Sequence, residues 1–89
     1  MVTRNITMEN GVGLHAGPAS LFVQKASSFR SSIWVEKDDC RVNAKSLLGI
    51  LSLGITKGTT ITIIADGADE AEAVNGLSAL IGGGFVDNN

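Results

Sequence analysis

The sequence predicts an α+β fold, a four-stranded antiparallel sheet with three helices on one face. Three observations carry that expectation. Stretches of period-two alternation recur along the chain, two of them joined by a short turn; stretches with helical spacing lie between and after them; and the alternating stretches set polar β-formers opposite apolar residues. The order that results is β-α-β-β-α-β-α, with the second sheet face left open to water.

Each element has a local reason. Val2 to Met8 alternates, with Val2, Arg4, Ile6 and Met8 on one face and Thr3, Asn5 and Thr7 on the other, and Asn10-Gly11 ends the strand. From Ala16 onward, Ala19, Phe22, Val23 and Ala26 fall at i, i+3, i+4 and i+7, while Ser20, Gln24, Ser27 and Ser28 take the other side. Pro18 belongs to the first turn of this helix, where a missing N–H costs little. Ser32 to Lys37 alternates again, Ile33 and Val35 against Trp34, and Asp38-Asp39 turns the chain into a short strand around Arg41 to Asn43. Ser46 is placed to cap a short helix that Gly54 ends. Thr59 to Asp66 is rich in β-branched residues and reads as the fourth strand. Asp69 is then the expected cap of a helix from Glu70 to Ile81, with Ala73, Leu77, Leu80 and Ile81 inward and Gly82-Gly83-Gly84 as its stop. Thr3, Asn5, Thr7, Thr60 and Thr62 are assigned to the open sheet face, with Trp34 there partly shielded by its neighbours.

Composition narrows the function classes. Eighty-nine residues without linker, repeat or low-complexity segment read as one domain, residues 1–89. Cys40 is the single cysteine and has no internal disulfide partner; one Cys and one His supply no zinc set, so neither metal nor cofactor is expected. The acidic residues from Asp66 to Glu72 fit helix-terminus chemistry better than a calcium loop, because the EF-hand spacing is missing. A net charge of −2 with scattered basic residues gives no footprint for nucleic acid. The longest nearly apolar run, Leu47 to Ile55, is too short to span a bilayer, and no leader pattern opens the chain, so a cytoplasmic protein is expected.

The only His and the only Pro lie together in Gly13-Leu14-His15-Ala16-Gly17-Pro18-Ala19. A lone histidine is most often a surface or capping residue. Here it immediately precedes a helix whose first amides lack intrahelical partners and whose aligned peptide dipoles present positive charge. A phosphoryl group on a ring nitrogen of His15 would find acceptor-seeking amides at Ala16 and Gly17 without metal or P-loop. The same positive end disfavours the imidazolium, so the neutral, nucleophilic ring is the expected form at neutral pH.

Ser46 before an apolar helix is most simply a cap. Yet Leu47, Leu48, Ile50, Leu51 and Leu53 are too many for so short a helix to bury against one sheet. Pattern alone leaves two readings open, a pure core helix and an exposed apolar patch beside a hydroxyl, where added phosphate would strengthen or block a partner.

Gly13-Leu14-His15-Ala16-X-Pro18-Ala19 and Asn43-Ala44-Lys45-Ser46-Leu47-Leu48-Gly49-Ile50-Leu51-Ser52-Leu53-Gly54 together resemble the HPr family, the histidine-containing phosphocarriers of the bacterial sugar phosphotransferase system. The likeness spans essentially the whole chain. It implies an open-faced β-sandwich and a phosphoryl carrier rather than a free-standing catalyst. His15 matches the residue that accepts phosphate from phosphoenolpyruvate-charged enzyme I and hands it to the IIA component of a sugar permease. Ser46 matches the site that an ATP-dependent HPr kinase/phosphorylase modifies, after which the protein partners a catabolite-control transcription factor. Leu47, Leu48 and Leu51 match the docking surface, which favours the patch. Two positions depart from the family pattern: Gly17 stands where members carry Arg, and Val12 where they carry a small polar residue. The guanidinium is expected to pair with the phosphohistidine; Arg4, Lys25, Arg30 and Lys57 are the other candidates for that charge. The resemblance therefore also implies a second reading, a regulatory module like the Crh paralogues acting through phospho-Ser46. Those proteins lack the histidine that this chain keeps.

Overall fold

The structure is a computed structural model and describes residues 1–9, 14 and 16–83. The expectations that fall on Asn10-Gly11, Val12, His15 and Gly84 lie outside the described residues.

The elements are β1 (Val2–Thr7), α1 (Ala16–Ser27), β2 (Ser32–Lys37), β3 (Cys40–Asn43), α2 (Leu47–Ser52), β4 (Thr60–Asp66) and α3 (Glu70–Gly82). The sheet runs in the order β1-β4-β2-β3 with every neighbouring pair antiparallel. β2 and β3 form the hairpin expected at Asp38-Asp39, where Asp38 adopts a φ of 55°. The strand last in sequence therefore lies inside the sheet, between β1 and β2.

Register separates the two faces. Val2 opposite Ala65, Arg4 opposite Ile63 and Ile6 opposite Ile61 point toward the helices, while Thr3, Asn5 and Thr7 with Ile64, Thr62 and Thr60 form the open face. Phe22 and Ala26 of α1, Ile50 of α2, and Ala73, Val74 and Leu77 of α3 pack on Ile33, Val35, Ile61 and Ile63 as one buried cluster. Arg4 belongs to the helix side, as its alternation requires, and reaches Ser78 of α3 at 3.3 Å. On the open face, hydroxyls and amides pair across strands: Thr7 with Thr60 at 2.8 Å, and Thr62 with Asn5 at 2.8 Å. One residue there is not polar. Ile64 is only 4% exposed, with Thr3 and Trp34 as its direct cross-strand neighbours, so the open face has a small apolar centre of its own.

Asp69 stands at the N-cap of α3 but its carboxylate makes no cap hydrogen bond. It accepts instead from the backbone amides of Arg30 and Ser31, both at 2.9 Å, and from the Ser31 hydroxyl at 2.5 Å. A sequence pattern sees the neighbours of Asp69 in the chain, whereas the open donors nearest its side chain are on the loop after α1. These three donors, the Ser31 hydroxyl foremost, hold the Asp69 carboxyl down to about 2. The loop approaches so closely that a Cβ at Gly67, whose φ is +154°, would lie 2.7 Å from the Ser31 Cα. Only glycine satisfies both the dihedral and the contact.

Candidate functional site

Two residues that precede α1, Met8 and Leu14, are tied to the loop that follows α2. Met8 donates its amide to the Thr59 carbonyl at 2.8 Å and accepts from the Gly58 amide at 2.7 Å; further on, Leu14 donates to the Ile55 carbonyl at 2.9 Å. Leu14 and Ile55 are each 2% exposed, so these bonds are backed by apolar burial on both sides. The loop is held from its other flank by Lys37, whose Nζ donates to the carbonyls of Leu53 at 2.8 Å and Gly54 at 3.3 Å. A cation on those carbonyls complements the C-terminal end of α2. Gly54, with a φ of +60°, supplies the left-handed residue that ends the helix.

His15 lies outside the described residues, between two residues that are placed: Leu14, buried and hydrogen bonded, and Ala16, the first residue of α1. The first turn of α1 contains Ala16, Gly17 and Pro18 and no acidic residue. Its N–H groups at Ala16 and Gly17 have no intrahelical acceptor, and Pro18 has none to offer. Gly17 is exposed, and a Cβ built on it meets nothing within 4 Å. Among the described residues, neither packing nor backbone dihedral demands glycine there, and none of them would meet the first carbon of a longer side chain.

The four basic residues considered in place of the missing arginine sit in different places. Arg4 is engaged with Ser78. Lys25 lies over the Phe29 ring, 5.7 Å from its centroid, near the C-terminal end of α1, and Arg30 follows that end. A twelve-residue helix is about 18 Å long, which separates both from its first turn. Lys57 belongs to the loop itself, between Ile55, which holds Leu14, and Gly58, which holds Met8.

The second part of the site is α2, which packs against α1 and β3. Ser46 has extended dihedrals, φ −107° and ψ 115°, and its Oγ accepts the Gly49 amide at 3.1 Å, while its carbonyl accepts the Ile50 amide at 3.0 Å. The approach to the cap is fixed by Lys45: its amide donates to Asn43 Oδ1 and its Nζ to the Phe29 carbonyl, each at 2.9 Å. Six residues give less than two turns, so only one side can face the core. That side takes Ile50, fully buried, and Leu53 just beyond the helix; Leu47 at 39%, Leu48 at 81% and Leu51 at 36% face water. The sequence reading gave Lys37, Lys45 and Gly49 no role of their own: the ammonium groups of Lys37 and Lys45 reach backbone carbonyls sixteen or more residues away, and Gly49 is crowded by Val42 on β3.

The family model described as "PTS HPr component phosphorylation site" matches residues 2–82. The chain belongs to the HPr family. It is 48% identical over 85 residues to the phosphocarrier protein HPr of Neisseria meningitidis, covering 96% of each chain. It is 49% identical over 81 residues to the HPr-like protein Crh of Halalkalibacterium halodurans, covering 91% of this chain and 96% of that one. Among solved structures, HPr-C-His from Thermoanaerobacter tengcongensis superposes with a TM-score of 0.94 at 49% identity, covering all of both chains. The open-faced arrangement of four antiparallel strands and three helices is thus the HPr fold.

Proposed function

We propose that this protein is a cytoplasmic phosphocarrier of the phosphoenolpyruvate-dependent sugar phosphotransferase system. His15 accepts a phosphoryl group from enzyme I on a ring nitrogen: the new N–P bond forms as the donor's bond to phosphorus breaks, and the same exchange then passes the group to a IIA component. The observation that supports this reading is the sequence position of His15 in an HPr-family chain, directly before a helix whose first turn has two amides without an intrahelical acceptor and no acidic residue. Those amides, at Ala16 and Gly17, are the proposed cradle for phosphoryl oxygens. Ser46 is the proposed target of an HPr kinase/phosphorylase, and Leu47, Leu48 and Leu51 the proposed docking surface for enzyme I, for IIA components and, after Ser46 phosphorylation, for a catabolite-control transcription factor.

A second reading is a Crh-like regulatory module acting through phospho-Ser46 with little transfer through His15. Gly17 favours it, since the phosphate would lack its guanidinium partner, and relatives named Crh are as similar as those named HPr. The presence of His15 supports the carrier. Incubation with enzyme I and phosphoenolpyruvate separates the two: the carrier acquires an acid-labile phosphate on His15, and absence of label both in this chain and in Gly17→Arg refutes the carrier. Incubation with ATP and the kinase is expected to give an acid-stable phosphate on Ser46.

A further inference from the structure

Gly49 sits inside α2, a helix of six residues. Glycine in a helix interior costs about 1 kcal/mol relative to alanine, a cost that a helix this short can least absorb. Its φ is not in the left-handed region, so the backbone does not call for it. The space around it does. A Cβ on Gly49 would lie 3.2 Å from the Val42 Cβ on β3 and 3.4 Å from both the Cβ and the Oγ of Ser46. The amide of this same residue donates to Ser46 Oγ at 3.1 Å. Gly49 thus holds the hydroxyl through its N–H and, having no side chain, puts no atom of its own at the place 3.4 Å from that oxygen where a Cβ would stand.

We propose that Gly49 is a specificity-determining position for phosphorylation of Ser46, an inference that rests on the kinase reading above. In that reaction Ser46 Oγ attacks the γ-phosphorus of ATP: the Oγ–P bond forms, the bond from that phosphorus to the β–γ bridging oxygen breaks, ADP leaves with the electron pair, and the hydroxyl proton passes to a base of the kinase. A tetrahedral phosphoryl group is far bulkier than a hydrogen. A methyl group touching both Oγ and Cβ narrows the directions from which phosphorus can approach, and Val42 behind it prevents the methyl from withdrawing.

The test compares the full chain with Gly49→Ala and Gly49→Val, measuring Ser46 labelling by an HPr kinase with ATP, His15 labelling by enzyme I with phosphoenolpyruvate, and the thermal midpoint. The expected result is a fall of about tenfold or more in kcat/KM at Ser46 for Gly49→Ala, larger for Gly49→Val, with His15 labelling unchanged. Equal Ser46 labelling of all three chains overturns the inference. So does a parallel loss of both labels with a lowered midpoint, which assigns Gly49 to packing against Val42 alone. Failure of the kinase to label the unsubstituted chain is a separate result: it overturns the kinase reading, and the inference with it.

Discussion

Replacing Gly17 by arginine is expected to accelerate phosphoryl transfer at His15 with little change in stability. The position is exposed, and among the described residues nothing within 4 Å would meet the new Cβ, so none of them has to repack. Gly17 is the second residue of α1. Arginine is favoured over glycine in a helix by about 0.5–1 kcal/mol, while a cation in the first turn opposes the helix dipole by about 0.3–1 kcal/mol. The two nearly cancel, and the thermal midpoint should move by no more than about 4–8 °C. A charge-assisted hydrogen bond from the guanidinium to a developing phosphohistidine contributes about 1.5–3 kcal/mol. Water screens an exposed site, so the lower end applies, and about 1.5 kcal/mol corresponds to roughly tenfold in rate. The assay is rapid-quench measurement of phosphate transfer from enzyme I, at low salt and at about 0.5 M salt, with Gly17→Gln as the uncharged control. The gain should appear only for arginine and shrink as salt rises. A rate that is unchanged, or raised equally by glutamine, refutes the argument that the missing charge limits transfer.

Other expectations follow from the same geometry. Lys57→Met should slow His15 labelling severalfold at low salt if Lys57, on the loop that binds Met8 and Leu14, supplies charge to the site, and a rate equal to the unsubstituted chain removes that role. Leu48→Glu should weaken binding to enzyme I by about tenfold or more in calorimetric titration while changing stability by less than about 0.5 kcal/mol, because Leu48 is already 81% exposed. Asp69 has a folded-state pKa depressed to about 2 from an ordinary 3.8, so its contribution to stability is complete above the ordinary value and is lost as the pH falls from about 4 toward 2. Urea midpoints taken across that interval should fall more steeply for the natural chain than for Asp69→Asn, which starts lower at neutral pH and lacks this titration. Gly67→Ala should destabilise by about 1–3 kcal/mol in urea unfolding, since its methyl would meet the Ser31 backbone at 2.7 Å while φ stays at +154°.

Much of this protein is written in short-range pattern. The alternation in Val2–Thr7, Ser32–Lys37 and Thr60–Asp66 and the helical spacing from Ala19 to Ala26 depend on residues a few positions apart, so the sequence alone determined the element order and which side of each element is apolar. Ser46 was legible as a cap for the same reason: its acceptor and its donor, Gly49 N–H, are three residues apart. Neighbouring residues could also mark His15, because a helix start after it follows from Pro18 and the apolar repeat. The strand order was not legible. Placing β4 between β1 and β2 pairs residues about sixty positions apart, and nothing in a local window distinguishes that order from another antiparallel one. Nor could the sequence reveal that Asp69 turns its carboxylate to Arg30 and Ser31, that Leu14 hangs from Ile55, or that Lys37 holds the end of α2. Tertiary structure also chose among the five apolar side chains of the α2 region, because a helix under two turns long meets the core along one line and that line runs through Ile50 and Leu53. Local periodicity is set by covalent neighbours and the geometry of the backbone; the frame around the site is set by contacts that exist only once the distant parts of the chain have met.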